Sequence, residues 1–276
     1  MAMKRLVSPT GKPVRLAAVR PNQGLEAAYR KKLDRLIDRM QRSLVFWLKA
    51  AYREKPPEMA QDASDGGVGG KSPAMNLRDE MTSLGARWQA QFDEAAPALA
   101  EWFSKSAFSR SDAALKEILK RGGFSVEFKM TRPVNDVFQA TVGEQIGLIK
   151  SIASEHLSDV QGMLMRSVQT GRDLGQMTED LQKRYGITKR RAALIARTQN
   201  NMATATITRA RQQELGITEA EWMHSAGGKH PRPSHVAANG KRFDVSKGML
   251  IDGEWIWPGQ LINCRCVSRA IVKGFE

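Results

Sequence analysis

The sequence predicts an α+β fold, with a mostly helical N-terminal and central region, a long basic helix, and a small C-terminal lobe rich in β-hairpins. Three observations predict it. Apolar residues recur at three- and four-residue steps through long stretches before residue 216. After that residue, short aromatic segments alternate with glycine turns, which is typical of hairpins. The chain has 276 residues, of which 41% are hydrophobic, and this is enough to form a buried core.

The sequence of the N-terminal part predicts an extended arm followed by a helix. Residues 1–22 form an extended basic arm in this prediction, because proline and glycine interrupt any helical pattern, and we expect the arm to order on a partner. Residues 23–55 have an apolar stripe at helical spacing and a basic opposite face, which predicts an amphipathic helix. The helix is a docking element by this interpretation, with candidate residues Arg30, Lys31, Leu33, Leu36, Met40 and Trp47.

The middle of the chain predicts a linker and a second helical region. Residues 56–75 begin at a proline pair and continue rich in glycine, serine and aspartate, so we expect a flexible linker. Residues 76–185 return to helical spacing, with one short strand where apolar and polar residues alternate after Phe124. A short helix is predicted to end at Tyr185-Gly186, since glycine commonly terminates helices.

The last predicted domain covers residues 186–276. This domain begins with a long basic helix, capped by Thr188 and ending near Leu215. Beyond the helix, the Asn239-Gly240 and Asp252-Gly253 turn signals predict the hairpins of the small lobe. Three arginines of the helix are candidates for contact with DNA phosphates, the alternative being bridges to acidic groups on a neighbouring subunit: Arg190, Arg191 and Arg197.

The charge of the chain predicts a polyanionic partner. The 43 Lys and Arg residues exceed the 29 Asp and Glu residues, which gives a formal net charge of +14. Nucleic acid is the leading candidate, followed by an acidic protein surface or a membrane surface. The sequence lacks an apolar run of about eighteen residues and an N-terminal signal peptide, so we expect no membrane association and a cytoplasmic site of synthesis.

The two cysteines and a histidine offer a candidate metal site. A Cys-x-Cys pair in an extended segment directs both sulfurs to one side, and His235 could join Cys264 and Cys266 as a third zinc ligand. The alternative is that the thiols pack as small apolar groups while His235 bonds to a turn carbonyl. The sequence favours this alternative, because structural zinc sites usually show four ligands in paired spacing, so we expect no cofactor.

The order of motifs in the last third of the chain resembles the phage Mu F-like head-morphogenesis family of minor head proteins. The resemblance covers roughly residues 140–272. It rests on Ile195-Ala-Arg-Thr198, Trp222, Arg232-x-x-His235, Pro258-Gly259 and Asn263-Cys-Arg-Cys266. Thr198, Trp222, Arg232 and Asn263 are the motif residues to which we assign a structural role. Members of the family commonly carry an Asp and an Arg ahead of the Arg-x-x-His element, whereas this chain has Gly228 and His230 there.

The resemblance implies a virion protein. Such a protein would be a minor capsid component of a tailed phage or prophage, present in few copies inside the head near the portal vertex, and in the host cytoplasm during assembly. Its implied partners are the portal protein, and the major capsid or scaffold protein. We expect it to aid head assembly and to contact packaged double-stranded DNA without sequence specificity, and not to be an enzyme.

The alternative is a DNA-acting or thiol-dependent hydrolase in the C-terminal lobe, delivered with the genome. Metal-dependent nucleases need clustered carboxylates. Between residues 186 and 242, however, 10 Lys and Arg residues stand against 3 acidic residues. A Cys–His nucleophile would need an orienting third group, and no residue of the sequence identifies one. We therefore assign no catalytic residue.

Overall fold

A computed structural model of the chain describes residues 4–5, 13–54, 73–169, 174–228 and 230–273. These residues confirm the α+β fold. The four long helices are α1 (Gln23–Glu54), α2 (Pro73–Arg121), α3 (Arg132–Gln169) and α4 (Leu174–Glu214), and α5 (Pro233–Ala237) is short. Most of the predicted linker, residues 56–75, lies outside the described residues. None of the described helices is long and apolar enough to cross a membrane.

The strands are short and antiparallel. Their bounds are β1 (Lys4–Arg5), β2 (Val14–Arg15), β3 (Phe124–Ser125), β4 (Glu219–Met223), β5 (Arg242–Asp244), β6 (Met249–Ile251), β7 (Glu254–Ile256) and β8 (Val267–Val272). The largest sheet has the order β2-β8-β4-β5, while β1 pairs with β3 and β6 pairs with β7. The predicted Asp252-Gly253 turn joins β6 to β7, and both of its residues have positive φ, as this turn type requires.

The chain divides into two compact units. The first unit takes residues from 1–28, 101–144 and 196–276, and the second takes residues from 29–100 and 145–195. Each long helix therefore contributes one end to each unit. The predicted boundary between residues 185 and 186 falls inside α4, at neither an end of an element nor an end of a unit.

The first unit incorporates the N-terminal segment that was predicted to be a free arm. Val14 and Arg15 pair with Ile271 and Val272 of β8. Leu16 and Val19 are buried in a core whose other members are Leu115, Leu119, Phe124, Val126, Leu215, Ile217, Ala270 and Val272. The expectation of an arm that orders on a partner is therefore wrong for this segment, because its apolar side chains are covered by the chain itself.

The second unit buries the apolar stripe of α1. Leu33 and Met40 have no exposed surface, so the structure contradicts their assignment to a docking face. Leu36 is partly buried, whereas Arg30 and Lys31 are exposed. Trp47 is 46% exposed, and the Arg87 guanidinium lies 5.9 Å from the centre of its ring. An amphipathic pattern indicates that one face of a helix is buried, but it does not indicate whether the same chain or a partner covers that face.

Helix α4 passes through the predicted stop at Tyr185-Gly186. Gly186 has no positive φ, and the helix continues from Leu174 to Glu214 without a break. Leu181 and Ala192, on either side of the glycine, are fully buried. A glycine inside a helix costs only about 1 kcal/mol relative to alanine, and burial of the flanking apolar side chains outweighs that amount.

Candidate functional site

The C-terminal lobe is built around Trp222. This side chain of β4 is fully buried, and its ring meets the ring of His235 edge to face at 5.1 Å and the ring of Phe243 at 6.3 Å. The same core contains Ala220, Ala238, Val245, Ile251, Ile256, Cys264 and Cys266. Trp222 is therefore in the core of the lobe, where it does not meet a ligand base by stacking.

His235, Cys264 and Cys266 meet in this core. Helix α5 carries His235, and its Nδ1 lies 3.5 Å from Cys264 Sγ and 3.7 Å from Cys266 Sγ. All three residues are at most 4% exposed, and both thiols are free of disulfide bonds. The expected hydrogen bond from His235 to a turn carbonyl is not what the structure shows, because its Nδ1 faces the two sulfurs.

The local electrostatics make Cys264 the more acidic thiol. The hydrogen bond that Cys266 donates to Cys264 lowers the pKa of the Cys264 thiol to about 5, against the effect of burial. The backbone N–H groups of Cys266 and Gly259 and the nearby His235 act in the same direction. The pKa of Cys266 is raised, because its proton is held by Cys264 and because it is buried. The pair therefore favours one thiolate beside one thiol.

Helix α4 holds the segment that carries the cysteines. Asn263 has a positive φ of 63°, and its Oδ1 accepts hydrogen bonds from Arg197 Nε at 3.2 Å and Nη2 at 2.8 Å. Its backbone N–H donates to Thr198 Oγ1 at 3.3 Å, and Asn201 Nδ2 donates to the Cys264 carbonyl at 2.9 Å. The motifs around residues 195–198 and 263–266, which are remote in sequence, thus form one hydrogen-bonded junction.

Two further contacts were not predicted from the sequence. Asn201 was not among the candidates, although it lies three residues after Thr198 on the same buried helix face, which was a usable signal. Arg209 stacks on Trp257, with its guanidinium 4.1 Å from the ring centre. Nothing in the local pattern connects those two residues, because 48 positions of sequence separate them.

Arg232 connects the start of α5 to the cysteine segment by a hydrogen bond. It lies at the N-cap of the helix, and its Nη2 donates to the Ile262 carbonyl at 3.0 Å. Ser234, two residues later, donates to Asp252 Oδ2 at 2.7 Å. The structure thus uses Arg232 to position the turn before Cys264.

A small cavity of about 50 Å³ opens beside the two cysteines and His235. Its walls include His224, His230 and Arg232, together with Gly228. Among its described lining residues there is no Asp or Glu. The cavity therefore offers sulfur and imidazole groups, but no carboxylate to serve as a base or as a ligand for a hard cation.

The three candidate DNA-contact arginines differ in their surroundings. Arg190 is exposed. Arg191 donates to Glu155 Oε1 at 2.6 Å and to Ser151 Oγ at 3.0 Å, so its charge is paired within the chain. Arg197 is the residue that orients Asn263. Exposure therefore leaves Arg190 as the best placed of the three, and contact with DNA stays a prediction.

The comparisons with known proteins bear on the same region. Residues 158–269 match the model of a family described as Phage Mu protein F like protein, which confirms the predicted resemblance. A protein of Haemophilus influenzae, described as uncharacterized, is 32% identical over 146 residues. This match covers 52% of the present chain and only 31% of that relative. No solved structure matches the chain. The chain therefore carries, at residues 158–269, a region that is similar to Phage Mu protein F like protein.

Proposed function

We infer that the chain is a non-enzymatic minor head protein of a tailed phage or prophage, located inside the head near the portal vertex. The observation that carries this inference is the family match over residues 158–269. The roles of the motif residues support it. Asn263 bonds to both Arg197 and Thr198, and Arg232 bonds to a backbone carbonyl. Polar groups used in this way stabilise a lobe and are not available to a substrate.

The first experiment asks where the protein resides. Heads are purified from cells that express the full chain, and quantitative mass spectrometry gives the ratio of this protein to the portal protein. A fixed ratio in purified heads and in portal complexes is the expected result. Absence of the protein from heads would overturn the inference and favour the enzymatic alternative.

Contact with packaged DNA is the second part of the proposed function. The formal charge of +14 and the exposed basic side chains Lys31 and Arg190 support it. A protein that neutralises DNA phosphates releases counterions, so its affinity for random duplex must fall with salt, by a log–log slope of about −0.9 per contact. Affinity that does not change with salt would contradict DNA contact.

Two matched arginine variants sharpen this test. Arg190→Gln removes an exposed charge, and we expect it to weaken binding and to reduce the salt slope by about 0.9. Arg191→Gln removes a charge already paired with Glu155, and we expect a smaller change in slope. Equal effects of the two neighbouring substitutions would show that only total charge matters, and that Arg190 makes no specific contact.

The hydrolase alternative rests on one observation, the acidic Cys264 thiol beside His235. Its difficulty is access, because Cys264 is 3% exposed and the adjoining cavity holds only about 50 Å³. Pockets for small molecules usually have about 300–1,000 Å³. A hydrolase would lose turnover in Cys264→Ser without losing its fold, and this result would promote the alternative.

A further inference from the structure

The cluster of His235, Cys264 and Cys266 has the geometry of a metal site. We propose that His235 Nδ1 and the sulfurs of Cys264 and Cys266 bind one zinc ion, with the fourth coordination position facing the adjoining cavity. This proposal concerns the lobe itself, and it holds whether or not the protein resides in a phage head.

The distances between the three atoms fit a shared tetrahedral ion. Zinc bonds of about 2.3 Å to sulfur and about 2.0–2.1 Å to nitrogen, at the tetrahedral angle, separate a sulfur from a nitrogen by roughly 3.6 Å. In the structure, His235 Nδ1 lies 3.5 Å from Cys264 Sγ and 3.7 Å from Cys266 Sγ. All three ligand atoms lie within 4.8 Å of one another. The ion would therefore require only small movements of these side chains.

The chemistry of the ligand atoms selects the metal. Thiolate sulfur and imidazole nitrogen suit zinc, whereas magnesium and calcium require oxygen ligands. The described walls of the cavity supply no carboxylate oxygen. Two thiolates and one neutral imidazole also balance the charge of a divalent zinc ion.

The surroundings hold Cys264 in place without the metal. Cys264 donates its backbone N–H to the Leu261 carbonyl at 2.9 Å, and its own carbonyl accepts from Asn201 at 2.9 Å. The backbone N–H groups of Gly259 and Cys266 act on the Cys264 sulfur. Hydrogen bonds of this kind orient metal ligands and tune their basicity. The turn after Gly259 is therefore organised around the sulfur.

The ion would cross-link two elements that are remote in sequence. His235 comes from α5, and the cysteines directly precede β8, the strand that pairs with β4. Binding to the folded lobe alone would stabilise it by mass action. With three protein ligands, the fourth position faces a cavity lined by His224 and His230. An open fourth position admits water or an external ligand.

The proposal is tested by cobalt and zinc binding to the full chain. Reduced protein is freed of metal with a chelator and titrated with Co²⁺, and a thiolate-to-cobalt charge-transfer band is followed before and after zinc displaces the cobalt. We expect one equivalent per chain. Loss of either thiol in Cys264→Ser or Cys266→Ser should weaken binding by more than about 100-fold, since changes outside the ligand set already cost about 10–100-fold.

Controls separate a lost ligand from a lost fold. Ser234 is next to His235 on α5, but its hydroxyl bonds to Asp252 and not to a ligand atom. The Ser234→Ala variant should therefore bind metal as the unchanged chain does. Thermal unfolding gives a second measurement. A chelator should lower the melting temperature of the unchanged chain, but not that of Cys264→Ser/Cys266→Ser.

Two results would overturn the proposal. One is cobalt binding that persists in the double variant, which would mean an adventitious site elsewhere in the chain. The other is a melting temperature that the chelator does not change, together with no charge-transfer band in the unchanged chain. In that case the two thiols serve as small apolar core groups.

Discussion

Arg211 is 2% exposed and carries a full positive charge inside the first unit. Its Nε and Nη2 donate to the two carboxylate oxygens of Asp112 at 2.9 and 2.7 Å, and its Nη1 donates to Glu214 Oε2 at 3.0 Å. A further bond joins Nη1 to the Lys129 carbonyl at 2.7 Å. A charge with so many partners tolerates burial, but it depends on each of them.

We predict that Asp112→Ala destabilises the protein by about 2–4 kcal/mol, because it leaves a buried guanidinium without its bidentate partner. Urea unfolding measures the change. Glu117→Ala on the same helix is the control, since Glu117 forms an exposed ion pair with Arg121 that contributes about 0–1 kcal/mol. Equal effects of the two substitutions would contradict a buried ion-pair network.

His156 is a second buried polar residue, in the second unit. Its side chain has no exposed surface, and its Nδ1 lies 2.8 Å from Thr188 Oγ1. Burial lowers the pKa of His156 to about 4, with a smaller contribution from Arg184 and an opposing one from Asp159. Between pH 6.5 and pH 4 the unfolded chain therefore binds a proton here that the folded chain does not.

We predict that this residue makes the protein less stable in acid. Above the unfolded pKa of 6.5 both states are neutral at His156, so the loss begins below that pH and is complete near the folded pKa. It amounts to about 2 kcal/mol between pH 7 and pH 5. Urea unfolding at both values compares the unchanged chain with His156→Gln. The same pH dependence in both proteins would show that His156 does not titrate in this way.

The loop before the cysteines lies so close to α4 that only glycine fits at position 259. Gly259 has a φ of +86°, and a Cβ at this position would lie 2.9 Å from the Ala205 Cβ on α4 and 3.2 Å from the Cys266 carbonyl. Real Cβ contacts are longer than the first of these distances. The Pro-Gly element of the motif thus lets the loop before the cysteines lie against the helix.

We predict that Gly259→Ala destabilises the protein by about 2–4 kcal/mol, from backbone strain together with displacement of the loop from α4. The matched control is Gly253→Ala. Gly253 has a similar φ of +84°, but a Cβ there would meet nothing within 4 Å, so only the strain of about 1 kcal/mol is expected. Thermal or urea unfolding separates the two, and equal losses would show that contact with α4 is unimportant.

At the scale of the molecule, the beginning and the end of the chain share one sheet. Strand β2 pairs with β8, and the buried Leu16 and Val19 extend the core of the first unit. An arm that is basic by composition is thereby part of the fold. Its contribution comes mainly from Leu16 and Val19, which the surrounding prolines and arginines conceal in the sequence.

We predict that Leu16→Ala lowers the free energy of unfolding by about 2–4 kcal/mol, as expected for removal of a large buried side chain. Arg20→Ala, four residues later and exposed, should change it by less than about 0.5 kcal/mol. Urea unfolding of the full chain measures both. No effect of Leu16→Ala would mean that the segment is not part of the stable core.

Local sequence patterns predicted the fold class, the amphipathic helix over 23–55 within a residue at each end, the Asp252-Gly253 hairpin and the Mu F-like region. These follow from local periodicity, from turn residues that tolerate positive φ, and from an ordered string of motifs. Each of these signals is contained within a short stretch of chain.

Long-range packing, which local patterns do not encode, sets what covers each face. It buries Leu33 and Met40 within the chain, continues α4 through Gly186, and pairs the N-terminal segment with β8. It also brings His235 to the two cysteines and Arg197 to Asn263, across 29 to 66 positions of sequence. Such contacts depend on long-range packing, whose free energy exceeds the local preference of a glycine or a proline. No pattern within one element could therefore predict them.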